Sequence, residues 1–183
     1  NWTREHVGFL KNVRTGHCLG LRGLALAARN SSAVLAECDY EDGSSTQRWV
    51  VDVKSGFIRN MNTNGHCLDV AGKPGFHYGT PLDAVRCEYD KNPDTTDQRW
   101  KFDAGGFVVN RLSGHCVSPA NGTSGEIPLT IDHCQFGDLS RTSRQTFQFV
   151  GLAQVAAMQA LEGGRPKAMV AQEDARRHAI VEG

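Results

Sequence analysis

Apolar residues along this chain come in short runs of three to six, each broken by glycine, proline, asparagine or aspartate before a helical face could form. In the middle of the chain the runs read GFIRNM, HCLDV, LDAVRC and QRWKF. Runs of this length, rich in β-branched and aromatic residues, predict strands. Between them lie AGKPGFHYGTP and EYDKNPDTTD, whose density of turn formers predicts loops. The pattern changes after Val150. LAQVAAMQALE places apolar residues at Leu152, Val155, Ala156 and Leu161 and is followed by Gly163-Gly164, predicting a short helix with a stop. A second helical stretch is expected from Lys167 to Ile180.

The strand pattern repeats. The triplet GHC occurs at Gly16, Gly65 and Gly114, 49 residues apart each time. A glycine-phenylalanine run ending in asparagine precedes it in every copy: GFLKN at Gly8, GFIRN at Gly56 and GFVVN at Gly106. A third marker follows, Gln47-Arg48-Trp49, then Gln98-Arg99-Trp100, then Gln145-Thr146-Phe147. Three markers in constant order define three units that share one core, because a unit of this size cannot bury its own apolar face. About four strands per unit gives about twelve in all. Trp49, Trp100 and Phe147 are expected in a shared aromatic layer. Gln47, Gln98 and Gln145 are expected to hydrogen-bond backbone, since a buried amide must be paired.

Composition narrows the functions. With 20 basic and 20 acidic residues the chain has no net charge, which argues against electrostatic binding to nucleic acid. No apolar run approaches the ~20 residues of a membrane span. Six cysteines fall as pairs separated by 20, 20 and 18 residues. About fifteen connectivities are possible for six cysteines. A threefold repeat favours the one that recurs locally, Cys18 with Cys38, Cys67 with Cys87 and Cys116 with Cys134. That pairing implies an oxidising compartment and a secreted, extracellular protein. Zinc held by these cysteines and His17, His66 and His115 is the competing reading, but no C-x2-C spacing is present. No metal or other cofactor is expected.

The Q-x-W series, the cysteine pairs and the unit length resemble the ricin-type β-trefoil lectin family, over roughly Val7 to Val150. The resemblance implies an all-β trefoil of about twelve strands in residues 1–150, with residues 151–183 as a helical tail or linker. It also implies a shallow sugar pocket in each repeat, built from three parts. These are an acid just after the first Cys-Leu, an aromatic platform two residues before the second Cys, and a polar residue before the Q-x-W glutamine. A carboxylate accepts hydrogen bonds from sugar hydroxyls, and an aromatic face packs on the C–H side of a pyranose.

The first repeat has Gly20, Ala36 and Thr46 in those places, and the third has Ser118, Asp132 and Arg144. Both are expected to be disabled. The middle repeat keeps Asp69 and Asp97 and adds Asp83, but Val85 occupies the platform. Tyr78 and His77 in the loop FHYG, or Tyr89 after Cys87, are candidate substitutes. Tyr40 stands after Cys38 as Tyr89 stands after Cys87, which favours packing for that position.

The sequence holds no G-x-S-x-G, H-E-x-x-H or phosphate loop. A glycosidase pair among the three aspartates is formally possible. A shallow, wet pocket is expected to deny these acids the desolvation that a general acid needs, so no enzymatic activity is expected. Two functions remain. One is a lectin for galactose-type or related glycans that attaches to glycoproteins on cell surfaces through the middle repeat. The other is a delivery or protein-interaction subunit of a larger toxin-like assembly with decayed pockets, docked on a catalytic partner through the tail.

Overall fold

The computed structural model describes residues 6–22, 31–72, 76–121, 125–137 and 143–163. Its strands fall four to a repeat. The first repeat has β1 (His6–Asn12), β2 (Cys18–Arg22), β3 (Ser31–Ala36) and β4 (Trp49–Val51). The second has β5 (Ile58–Asn60), β6 (His66–Val70), β7 (Leu82–Arg86) and β8 (Trp100–Phe102). The third has β9 (Val108–Asn110), β10 (Cys116–Pro119), β11 (Ile127–Asp132) and β12 (Phe147–Gly151). Strand β1 pairs with β12 on one side and β4 on the other, so the last strand closes on the first. The hairpins β2–β3, β6–β7 and β10–β11 meet one another. Strand β3 pairs with β7 and with β11, and a bridge from Pro81 to Thr130 joins the remaining two. This is a β-trefoil.

The core follows from the repeat. Trp49, Trp100 and Phe147 lie in one apolar cluster with Leu19, Leu68, Val117 and Ile58, and both tryptophans are fully buried. A buried indole needs a partner for its N–H. Trp49 Nε1 donates to the carbonyl of Leu19 at 2.9 Å, and Trp100 Nε1 to that of Leu68 at 3.0 Å. Each repeat's glutamine spans two backbone groups. Gln98 accepts from the Glu88 N–H at 2.9 Å and donates to the Arg86 carbonyl at 3.1 Å. Gln47 bridges Asp39 and Glu37 in the same way, and Gln145 bridges Gln135 and His133.

The GHC glycines explain themselves by conformation: Gly16, Gly65 and Gly114 have φ of 72°, 77° and 74°, in the left-handed region that side chains disfavour. The cysteine that follows each one bonds to the expected partner. Disulfides join Cys18 to Cys38, Cys67 to Cys87 and Cys116 to Cys134, so no thiol is left to bind zinc.

The chain divides at Gly151 into two compact units, Asn1–Gly151 and Leu152–Gly183. Of the second unit the described part is helix α1 (Leu152–Gly163), which buries Val155 and leaves Met158 and Leu161 exposed. The stretch from Lys167 to Ile180, expected to be helical, lies outside the described residues. No helix among the described residues is long and apolar enough to cross a membrane.

Removing a glutamine bridge takes the side-chain partner from one backbone N–H and one backbone carbonyl, both partly buried. Gln47→Leu, in the first repeat, is expected to lower stability by about 1–3 kcal/mol at unchanged urea m-value. Urea unfolding followed by tryptophan fluorescence measures it; a loss within experimental error would remove the glutamine from the account of the core.

Candidate functional site

Asp69 and Asp83 face each other across the β6–β7 hairpin, in direct register. Asp97 arrives from the segment before β8. Its backbone is fixed because Asn110, fully buried at the end of β9, donates to the Asp97 carbonyl at 2.6 Å. Asp69 follows Leu68, whose carbonyl holds the Trp100 indole. The two acids are thus set by core contacts on either side. Their carboxyls hydrogen-bond to each other, Asp83 bonds to Asp69, and the Gln98 amide reaches Asp69 as well.

Three carboxyls in this space cannot all ionise. Burial chiefly, then the hydrogen bond with Asp97, then the charges of Asp97 and Asp83, push Asp69 up to about 9. Burial also raises Asp83, against its hydrogen bond to Asp69. The expectation of a wet pocket that leaves its acids unperturbed is therefore corrected, because Asp83 and Asp97 are almost fully buried and Asp69 is partly buried beside them. The arrangement still differs from a glycosidase pair. Those carboxyls stand ~5–5.5 Å apart or more, leaving room for the reacting centre. Asp69 and Asp97 are in mutual hydrogen-bond contact.

Asp69 and Asp97 open onto a cavity of about 630 Å³. Val85, Phe76, Thr95 and Leu112 form its less polar wall, and Glu88, Lys91 and Asp94 stand at its edge. Lys91 pairs with Glu88, and its ammonium feels the charges of Asp97 and Asp69. Asp83 lies behind Asp69 and is almost fully buried, with one carboxyl oxygen unpartnered.

The substitutes considered for the missing platform lie elsewhere. Tyr78 packs against His115, with ring centroids 4.6 Å apart, and edge-on to His133, so it faces the third repeat. The His77 carbonyl accepts from Thr80 in a tight turn, and the residue is exposed outside the cavity. Tyr89 packs edge-on against Phe57 at 4.8 Å, as Tyr40 does against Phe9 and Phe136 against Phe107. A contact made three times belongs to the scaffold, so the packing expected from Tyr40 is what the structure has. The aromatic that does line the cavity is Phe76, one residue before His77 and 43% exposed. The sequence pointed to His77 and Tyr78 in this loop, and Phe76 was not among the candidates.

The corresponding positions of the other repeats are filled differently. A side-chain carbon at Gly20, the counterpart of Asp69, would lie 2.9 Å from the Gln47 side chain and 3.4 Å from Thr46 Oγ1. Thr46 in turn is spent on the backbone of Leu21. In the third repeat, Thr130 bonds the Ser118 carbonyl and Arg144 bonds Asn121. No group of acids, histidines and cysteines among the described residues is arranged to hold a metal ion.

Comparison with known proteins agrees with this architecture. The family model described as ricin-type beta-trefoil lectin domain matches residues 6–142. No curated protein sequence matches the chain. Among solved structures, the chain is similar to a non-toxic homologue of type II RIPs from Momordica charantia (bitter gourd), solved in complex with α-methyl-D-galactoside. The identity is 20% and the TM-score 0.62, over 81% of this chain and 48% of that one, so this chain spans about half the relative's length. It is also similar to the C-half of the earthworm R-type lectin in complex with GalNAc, at 13% identity and TM-score 0.60, covering 80% and 98% of the two chains. The β-trefoil lectin of the Vibrio vulnificus hemolysin/cytolysin, with N-acetyl-D-lactosamine bound, gives 17% identity and TM-score 0.56 over 80% and 95%. At these identities the likeness shows the fold.

The buried acids make stability depend on pH. A carboxyl that keeps its proton to about 9 when folded, against 3.8 ordinarily, means that the folded state binds more protons across that window. Stability therefore falls as pH rises from about 4 to about 9. Asp69→Asn is expected to match the wild type near pH 4 and to exceed it increasingly toward pH 9 in urea unfolding. Parallel curves for the two proteins would show that Asp69 is ionised throughout.

Proposed function

The chain belongs to the ricin-type β-trefoil lectin family, and on that premise we propose that it is a secreted carbohydrate-binding module with one working pocket, in the middle repeat. The observation that carries this reading is the asymmetry of the three repeats. One scaffold is built three times, yet the two acids that line an open cavity in the middle copy have glycine and threonine, or serine and arginine, as their counterparts in the other two. The Asp69 carboxyl, which keeps its proton, offers a donor as well as an acceptor oxygen to sugar hydroxyls. Phe76 supplies an apolar face for the C–H side of a pyranose, in place of the platform that Val85 cannot provide.

Galactose-type glycans are the first class to try. The bitter gourd, earthworm and Vibrio neighbours were solved with a galactoside, with GalNAc and with N-acetyl-D-lactosamine. Three disulfides support secretion. A single small pocket holds a monosaccharide weakly, with Kd in the ~1 mM range, or about −4 kcal/mol. Attachment to a cell surface would then require several copies acting together. Val85 at the platform position favours a second reading, in which the pockets have decayed and the domain delivers or docks a partner.

A glycan array followed by calorimetry decides between them. The wild type is expected to bind galactose-type glycans, Asp69→Ala to lose detectable binding, and Phe76→Ala to weaken it about five- to tenfold, as loss of about 1 kcal/mol of ring contact implies. Absence of any bound glycan would favour the delivery reading. Binding retained in Asp69→Ala would move the site out of the middle repeat.

A further inference from the structure

The cavity beside Asp69 does not end at its own wall. Asp94 and Leu112 also border a second depression of about 370 Å³, whose remaining walls are Pro93, Arg99 and Arg111. The two hollows form one groove with an acidic end and a basic end.

The basic end holds two guanidinium groups. Arg99 lies over the Phe57 ring, 4.7 Å from its centroid, and donates one hydrogen bond, from Nη1 to the Ser55 carbonyl at 2.9 Å. Arg111 donates from Nε to the Trp100 carbonyl at 2.9 Å and from Nη2 to the Val53 carbonyl at 3.0 Å, with Nη1 reaching Lys54 and Ser55. All of these acceptors are neutral carbonyls. They orient the two forks and leave both charges in place. Among the described residues no carboxylate forms an ion pair with either arginine. Asp94 lines the depression and Asp52 acts on Arg111 from a distance. Burial, followed by repulsion from Arg99, lowers the Arg111 pKa, and the charge of Asp52 opposes them.

The repeat shows that this pairing is not part of the scaffold. The residue after each G-F-x-x-N run donates its backbone N–H to the carbonyl of the middle residue of a neighbouring repeat's Q-x-W triplet. That contact pairs Met61 with Arg48, Arg111 with Arg99, and Val13 with Thr146. The fold accepts methionine or valine where Arg111 stands. Two arginines meet at one of the three equivalent places, and that place adjoins the open cavity.

We propose that the Arg99–Arg111 depression is an anion subsite of the same groove, and that the ligand is an acidic oligosaccharide. One neutral sugar enters the Asp69 cavity and its neighbour presents a carboxylate or a sulfate ester to the two guanidiniums. The inference rests on the sugar-binding reading above and adds the ligand's charge and its extension beyond one residue. Arg99 Nη2, which makes no hydrogen bond among the described residues, supplies the donors and Arg111 adds its charge, and planar forks suit oxyanions better than an ammonium does.

Calorimetry with three versions of one core tests it: N-acetyllactosamine unmodified, carrying a sulfate ester, and carrying a sialic acid. At least one acidic version is expected to bind about five- to tenfold more tightly than the neutral core at low salt, the advantage shrinking as ionic strength rises. Whichever acidic version gains more identifies the anion. Arg99→Gln is expected to abolish the advantage and to leave neutral-core affinity within about twofold, while Arg99→Lys restores part of it. Arg111→Gln should act likewise. Because Arg111 also ties the loop at residues 53–55, thermal unfolding checks its fold, and Arg99→Gln decides if that variant is unstable. Equal affinity for neutral and acidic versions overturns the subsite and leaves the sugar pocket standing. An acidic advantage that survives Arg99→Gln also overturns it. If none of the three binds, the sugar-binding reading falls and the subsite with it.

Discussion

The side chains of Gln98, Trp100 and Asn110 hold both the middle repeat and its cavity in place. Gln98 bridges Glu88 and Arg86, Trp100 holds the Leu68 carbonyl, and Asn110 of the next repeat holds the Asp97 carbonyl. Each bond satisfies a polar group that the core would otherwise leave without water or partner, where an unpaired group costs about 1–3 kcal/mol. Their anchor points adjoin the site residues. Leu68 precedes Asp69, and Asp97 precedes Gln98. The contacts that close the core therefore also set the positions of the two acids. The equivalent contacts of Trp49 with Leu19, Asn60 with Thr46 and Asn12 with Arg144 are present in the other repeats, where no pair of acids uses them.

Repetition explains what could be read from the sequence. A residue that recurs three times in register is answering a demand of the scaffold, so the strand count, the disulfides, the glutamine bridges and the aromatic layer were all visible as periodic features. Single departures from the period were harder to interpret. Asp69 and Asp97 stood out because their counterparts are not acids. Phe76 did not, because it sits in a loop whose length differs among the repeats, where no register picks one aromatic from three. Tyr78 and Tyr89 look alike in the sequence. Only contact geometry separates one packed on the third repeat from one packed on Phe57. The pairing of Arg99 with Arg111 was hidden for a different reason, since the two residues belong to different repeats and meet through a backbone contact.

The electrostatics of the middle repeat follow from stacking acids on a scaffold that was already closed. Asp83 brings a third carboxyl behind Asp69, in a place where burial favours the proton over the charge. The site consequently holds buried carboxyls at one end, with Asp69 kept protonated, and at the other two arginines that form no ion pair among the described residues. A neutral chain with 20 residues of each sign can still be strongly polarised within one groove. Bulk charge excluded broad classes of partner but held no information about this arrangement.

Backbone amide shifts in a two-dimensional NMR titration with α-methyl-galactoside test the central claim most directly, because they locate a weak ligand without disturbing the protein. Saturable shifts are expected at Asp69, Phe76, Thr95, Asp97 and Gln98, with Gly20, Thr46, Ser118 and Arg144 unmoved. Shifts of comparable size at the first or third repeat, or none in the middle repeat under conditions where a glycan demonstrably binds, would contradict it.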